Sequence, residues 1–261
     1  MISVIILNYK TPLMTIECIN SILRYVKNIE YEIIVVDNNS EDESKELFFK
    51  NFEFNKDIKF IYLDKNLGYG GGNNVGERIS VGEYLFFLNS DTLFFENSLE
   101  LLFDVYNKQK KLKKIGFIQP RLYSNIEKNF VQKTNSTIPT LYNLLQENLP
   151  FFQKIFKQQF REFRYLDWDR NCSKYVDTVC GAAMFCERWF FEKIGAFDER
   201  FFLYFEEYDL CRRAVTLGYN NYYSVETSII HLHNKSPSPN MSKKLLYINS
   251  FLKYVTKYVK I

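Results

Sequence analysis

Short continuous apolar runs, separated by segments of helical periodicity, organise the first half of the chain. Ser3-Val4-Ile5-Ile6-Leu7 is the run expected of a strand covered on both faces. Thr11-Pro12 supplies an N-cap and a first-turn proline, and Met14, Cys18, Ile22 and Val26 follow at helical spacing. Residues 32–36 repeat the strand pattern and stop at Asp37-Asn38-Asn39-Ser40, with Ser40 placed to cap a helix starting around Asp42. Residues 59–63 form a third strand that runs into a polar, glycine-rich stretch, 66–74, followed by a helix to about Ser80. A fourth strand, 84–88, ends at Asn89-Ser90-Asp91-Thr92. Repeated βα units of this length predict an α/β, Rossmann-like, doubly wound and mainly parallel sheet. Ligands of such sheets bind beyond the carboxyl ends of the strands. Asp37, residues 66–74 and residues 89–91 all fall there.

The second half reads differently. Residues 123–173 are polar and aromatic, with Pro139 and Pro150 bounding a short helical stretch, and predict an insertion on the acceptor side or a lid. Residues 175–185 predict a small-residue strand. Its Gly181-Ala182-Ala183 either lets a sugar approach the backbone or packs closely against a helix. Next, Asp198, Glu199, Glu206, Glu207 and Asp209 lie inside the aromatic frame of residues 197–210. Carboxylates held among aromatics lose water, which raises their proton affinity and suits general-base chemistry; a structural acidic helix start is the plainer alternative. Residues 242–260 predict a basic amphipathic helix, with lysines between Leu245, Ile248, Phe251, Leu252, Val255, Tyr258 and Val259. It suits an anionic membrane surface, or packing on the domain with a solvated lysine face.

Composition narrows the classes. A net charge of +3 over 261 residues is too small to point to nucleic acid. The odd set Cys18, Cys172, Cys180, Cys186 and Cys211 has no CxxC spacing, so free thiols in a reducing cytosol are expected. No apolar run reaches the roughly 18 residues that span a bilayer, and the chain starts with a strand rather than a charged leader. The glycine run is a poor dinucleotide loop: position 73 is Asn, and the run follows the third strand instead of the first. Asp37 to Ser40 fits a turn and cap as well as a ligand contact. Asp91, just past a hydrophobic strand, fits either a helix cap or a divalent ion bridging two phosphates.

In order along the chain, Val4-Ile5-Ile6-Leu7-Asn8-Tyr9, Val35-Val36-Asp37-Asn38-Asn39-Ser40, Asn66-Leu67-Gly68-Tyr69-Gly70-Gly71-Gly72-Asn73-Asn74, Leu88-Asn89-Ser90-Asp91-Thr92 and Gly195-Ala196-Phe197-Asp198-Glu199-Arg200 through Glu206-Glu207 make a specific series. It resembles the family 2 glycosyltransferases of GT-A fold, in their bacterial rhamnosyltransferase-like branch. The resemblance implies inverting transfer from a nucleoside-diphosphate sugar (dTDP-rhamnose or a UDP-hexose) to a glycan or polyprenyl-diphosphate-linked acceptor for surface polysaccharide. It implies a cytoplasmic enzyme, at the inner face of the cell membrane if the tail binds lipid. A nucleotidyltransferase and a non-catalytic sugar-binding module are the alternatives.

The implied donor contacts are Leu7, Tyr9, Asp37, Asn66, Gly70, Asn73, Asn89, Ser90 and Arg213, with Asp37 receiving the imide N–H of uracil or thymine. Asp177, Gly181 and Ala182 fall on the acceptor and sugar side. Asp91 matches the last acid of the family's DxD motif and implies a divalent cation, Mg²⁺ or Mn²⁺, on the diphosphate. Asn89 stands where the first acid belongs. His231, with His233 two residues on, is the implied further metal ligand. The base of the family is the Asp of a Glu-Asp pair; here that position is Glu207 after Glu206, which leaves Glu207, Glu206 and Asp209 as candidates. Arg213 either contacts the diphosphate or pairs with a neighbouring acid. The implied domains are a catalytic unit over residues 1–241 and a tail helix over 242–261.

Overall fold

The structure, a computed structural model, describes residues 1–232 and 242–258. Its first half is β1 (Ile2–Asn8), α1 (Pro12–Tyr25), β2 (Tyr31–Asp37), α2 (Ser44–Phe52), β3 (Ile58–Tyr62), α3 (Gly68–Ile79), β4 (Tyr84–Asn89), β5 (Thr92–Leu93), α4 (Ser98–Lys110) and β6 (Ile115–Tyr123). The second half is α5 (Leu141–Asn148), α6 (Pro150–Ile155), α7 (Lys157–Phe163), β7 (Lys174–Val176), β8 (Ala183–Glu187), α8 (Arg188–Lys193), α9 (Glu206–Thr216), β9 (Asn220–His231) and α10 (Lys243–Tyr258). One nine-stranded sheet runs β3-β2-β1-β4-β8-β6-β9-β5, with β7 on β9.

The expected parallel sheet is present in β3-β2-β1-β4; the apolar runs of β2, β1 and β4 are buried on both faces, while β3 is a half-exposed edge. Register fixes the site. Asn8 lies opposite Asp37, and Leu7 opposite Asn89, so three polar strand ends converge. Beyond β4 the sheet is mixed, because β8 pairs antiparallel with both β4 and β6. The strand expected over 175–185 is two strands, joined by a turn through residues 177–182. β7 pairs β9 while β8 pairs β4, and no straight run of chain reaches both.

Two further expectations change. Ser40 does not cap α2; its hydroxyl donates to Asp37 Oδ2 at 2.6 Å, and Asp42 receives the Ser44 N–H at 2.9 Å instead. The glycines of 68–72 lie inside α3 rather than in a loop before it. With Gly76 they admit close packing: a Cβ at Gly76 would stand 2.5 Å from Ile5 Cγ2, and one at Gly70 would stand 2.9 Å from Phe197 Cβ. Gly68 is the most demanding, at φ 75° and with a Cβ position 2.1 Å from the Phe202 carbonyl oxygen. That contact closes α3 on the 197–205 segment, where Tyr69 N–H donates to Phe202 O at 2.8 Å. Gly68→Ala is expected to destabilise by about 1–3 kcal/mol, from positive-φ strain and a backbone clash together. A denaturant midpoint unchanged from wild type would contradict that packing role.

The tail helix packs on the domain. Leu246, Ser250, Tyr254 and Val255 are buried, and Tyr254 shares a cluster with Leu144, Phe201 and Phe205. Leu245, Ile248 and Leu252 stay exposed on its outer side. No helix of the described residues is long and apolar enough to cross a membrane. Cys18 and Cys211 are buried, and the cysteines are free thiols.

Candidate active site

The ends of β1 and β2 form one hydrogen-bonded unit. Asn8 Nδ2 donates to Asp37 Oδ2 at 2.6 Å, and Ser40 N–H donates to Asp37 Oδ1 at 2.9 Å. Asn8 Oδ1 receives the Thr15 hydroxyl at 2.7 Å, and the Thr11 hydroxyl lies 3.0 Å from that of Ser90 at the end of β4. Asp37 is therefore held rigidly, and Oδ1 keeps a lone pair for another donor. Asn66 serves the start of α3: its Oδ1 accepts from Asn38 Nδ2 at 2.9 Å and from Gly68 N–H at 2.8 Å. Asn73 Nδ2 donates to Tyr69 O at 3.0 Å, which leaves its buried Oδ1 without a partner among the described residues. Leu7 and Tyr9 are half-buried at the mouth of β1, and Gly70 is buried in α3 against Phe197.

A second group forms where β5 meets β9. Antiparallel pairing sets Thr92 opposite His231, and this brings Asp91 beside the imidazole. His231 Nε2 lies 3.4 Å from Asp91 Oδ1 and 3.4 Å from Asn89 Nδ2. Gln132 orients the ring. Its Nε2 donates to the His231 carbonyl at 2.7 Å, which fixes the amide and turns Oε1 toward His231 Nδ1, 2.9 Å away. Nδ1 thus carries a proton, and Nε2 faces the carboxylate. Asp91 is 4% exposed, and its Oδ1 has no hydrogen-bond partner among the described residues. A buried anionic oxygen beside an imidazole nitrogen, with the other ring N–H held by an amide, is a donor set that fits a divalent cation. Among the described residues no cluster of three or more His, Cys, Asp or Glu side chains forms a complete cage. Phosphate oxygens and water would supply the remaining ligands. His233 lies outside the described residues.

The acidic segment separates its candidates. Glu207 opens onto a cavity of about 510 Å³, lined also by Gln132, Lys133, Arg164, Cys180 and Tyr208. Burial raises the proton affinity of Glu207, and the Arg164 guanidinium opposes that rise. Glu206 is buried, with Oε2 unpartnered among the described residues. Desolvation first, and then repulsion from Glu207, hold its carboxyl well above the ordinary range. Asp209 is engaged elsewhere: Arg213 Nε donates to it at 2.9 Å, Tyr258 donates at 2.5 Å, and Lys257 also bonds to it. Arg213 takes the ion-pair alternative, binding Asp209 and the carbonyls of Ile194 and Ala196. Arg212 binds the Pro139 carbonyl at 3.3 Å. The Cys180 thiol, pushed up to about 12 chiefly by burial, is no nucleophile at neutral pH.

The turn 177–182 joins these parts. Asp177 Oδ2 receives the Ile138 N–H at 3.2 Å, which ties the 123–173 segment to the sheet. The Ala182 carbonyl receives the Asn89 N–H at 3.0 Å. The Tyr69 hydroxyl bonds to the Gly181 carbonyl.

The glycosyl transferase family 2 model matches residues 3–185. The chain belongs to that family. A low-salt glycan biosynthesis hexosyltransferase, Agl10 of Haloferax volcanii, is 29% identical over 218 residues, covering 82% of this chain and 61% of that relative. The poly(ribitol-phosphate) beta-N-acetylglucosaminyltransferase TarP of Staphylococcus aureus is 36% identical over 95 residues, 36% of this chain and 28% of its own. The chain thus spans under two thirds of the length of either relative. A crystal structure of GalNAc-T7 with UDP, GalNAc and Mn²⁺ matches with a TM-score of 0.69 at 16% identity, over 97% of this chain and 47% of that one. The likeness is one of fold, GT-A.

The roles of several residues of this family 2 glycosyltransferase escape a reading of its sequence, although Asn8 and Asn74 stand within its motifs. Asn8 ends a recognisable strand, so its position at a carboxyl end was the available signal. Asn74 follows Asn73 and clamps the acidic segment, donating to Phe197 O at 2.9 Å and to Glu199 at 3.0 Å. Gln132 and Arg164 lie in the insertion, where no periodicity marks them.

Proposed function

We propose that the protein is an inverting, divalent-cation-dependent glycosyltransferase that uses a nucleoside-diphosphate sugar, with Glu207 as base. One observation carries this reading: an orphaned buried carboxylate oxygen beside His231, together with a separate carboxyl of raised proton affinity that opens onto a cavity. Asp37 Oδ1 would accept the imide N–H of the base, and Asn73 Oδ1 is a second buried acceptor for the nucleotide. Asp91 and His231 would hold the cation. When bound, it neutralises charge on the departing diphosphate. Glu207 takes the proton of an acceptor hydroxyl as that oxygen bonds to the anomeric carbon and the bond to diphosphate breaks. One displacement inverts the centre, and the protonated Cys180 offers no covalent route. Residues 132, 133 and 164 would make the insertion one wall of the acceptor pocket.

The donor is a dTDP-rhamnose or UDP-hexose, and the acceptor a glycan on a lipid carrier at the inner membrane face. Mass spectrometry of the purified protein soaked in a mixed sugar-nucleotide pool with Mn²⁺ should show one donor retained. Acceptor-dependent release of the nucleoside diphosphate should follow. Retention of none, or equal release in excess chelator, would overturn the proposal.

Exposed Leu245, Ile248 and Leu252, with Lys243 and Lys244 close by in sequence, suit contact with anionic lipid. Leu245→Glu with Leu252→Glu is expected to abolish co-sedimentation with phosphatidylglycerol vesicles. Both positions are over half exposed, at 57% and 54%, so folding should be retained. Undiminished co-sedimentation would exclude this helix face as the contact.

A further inference from the structure

The backbone just before the Glu206-Glu207 pair is strained. Tyr204 and Phe205 both occupy the left-handed region, at φ 69° and 70°, and neither is glycine. A Cβ in that region crowds its own carbonyl, so such residues persist where the surroundings enforce them. Here the enforcing element is α10. Phe205 is buried, with ring centroids 5.2 Å from Tyr247, 6.1 Å from Phe251 and 5.4 Å from Tyr254. Ser250 Oγ donates to the Leu203 carbonyl at 2.8 Å, and Lys253 Nζ to the Arg200 carbonyl at 2.6 Å. Lys257 Nζ binds Asp198 at 2.7 Å and also Asp209, which Tyr258 binds as well. These contacts grip the segment on both sides of the strained pair: at 198, 200 and 203 before it, and at 209 after it.

We infer that α10 is a positioning element of the transfer reaction: Ser250, Tyr254 and Lys257 hold the Tyr204–Phe205 bend and thereby aim the Glu207 carboxylate into the cavity. The inference rests on Glu207 being the base. No residue of α10 lines that cavity, so its effect passes through the bend. Lys257 is distinct from the lysines of the outer face, because its charge is spent inside the protein on two carboxylates.

Lys257→Met and Ser250→Ala test this. Both are expected to bind donor like wild type and to lower kcat by roughly 10- to 100-fold, the scale of a small misplacement of a reacting group. KM for donor should stay unchanged. The acid limb of the kcat–pH profile should move to lower pH, since a carboxyl released from its setting gains water and loses proton affinity. The charged and titratable groups around Glu207 are Glu206, Tyr208 and Cys211 of α9, Tyr204 before it, Tyr69 of α3, Glu147 of α5, Arg164 after α7, and Lys133 and Cys180 across the cavity. Neither variant alters any of them, and Ser250→Ala changes no charge at all, so its shift reports the setting of Glu207 itself. Adding Tyr204→Gly to Lys257→Met should restore part of kcat, because glycine adopts that φ without strain.

A merely structural helix would lower the melting temperature while the folded fraction kept wild-type kcat and pH profile, and that result overturns the inference. If Lys257→Met fails to fold, Ser250→Ala removes one hydrogen bond and carries the same test. Wild-type turnover in Glu207→Gln would instead remove the base assignment, and the positioning role with it. An inactive Glu207→Gln beside fully active Lys257→Met and Ser250→Ala would remove the positioning role alone.

Discussion

Glu207→Gln is expected to bind donor normally and to turn over roughly 10²- to 10⁴-fold more slowly, the usual cost of losing a general base. Donor affinity should survive, because the groups assigned to the nucleotide and diphosphate (Asp37, Asn73, Asp91 and His231) lie on or beside β2, α3, β4 and β9, and none is on α9. Glu207→Asp should retain measurable turnover, since the family geometry suits the shorter acid. The rate should rise with pH through an apparent pKa above the ordinary glutamate range, because burial dominates the environment of Glu207. Glu206→Gln separates the pair. A buried carboxyl whose folded-state pKa is raised adds stability below its unfolded pKa, and that share is lost as pH rises through the folded value. Glu206→Gln should therefore stabilise the fold at about pH 8, show no gain at about pH 4, and keep most of the turnover. An inactive Glu206→Gln beside an active Glu207→Gln would transfer the base role to Glu206.

Asp91→Asn should cost at least roughly 10²- to 10³-fold in divalent-dependent transfer while the protein stays folded. The swap keeps shape and removes charge, and Asn89 already occupies the place of the other family acid, so no second carboxylate of that motif compensates. His231 Nε2 stands 3.4 Å from Asp91 Oδ1. Gln132→Leu should weaken the cation by about 10- to 100-fold without touching a ligand, because the ring would lose the partner that fixes its Nδ1 proton. Titrating turnover with Mn²⁺ reads both effects. Undiminished activity of Asp91→Asn in excess chelator would show that no cation sits there.

Three of the four parallel strands were legible because burial on both faces leaves unbroken apolar runs such as 3–7 and 84–88; β3, at the edge, keeps a shorter apolar run with Lys59 exposed. Glycines 68–72 read as a loop because helix propensity counts against them. Their value lies in contact with Leu7 and Phe197, which local sequence does not display. The strand expected over 175–185 was misread for a similar reason: its apolar content is right, but β7 and β8 belong to different neighbours. Asp91 and Glu207, proposed here for the cation and the base, are nominated by their places in an ordered series of motifs. The separation of Asp209 from that chemistry was not legible, since it depends on Lys257 and Tyr258, some fifty residues away. Gln132 was hidden for the same reason: only the fold puts its amide across both ends of His231.

The insertion leaves the sheet after β6 and returns at β7, and both strands pair with β9. Its two ends are thus fixed to one strand, so the segment is bounded as a single cassette that lines the cavity beside Glu207. Gln132 limits its independence. The amide that orients His231 travels with the cassette, so on the proposed roles a transplanted insertion without an equivalent would change the acceptor wall and degrade the handling of the donor in the same step. On those roles the two specificities are coupled through one side chain, and chimeras should be cut after residue 132 rather than before it.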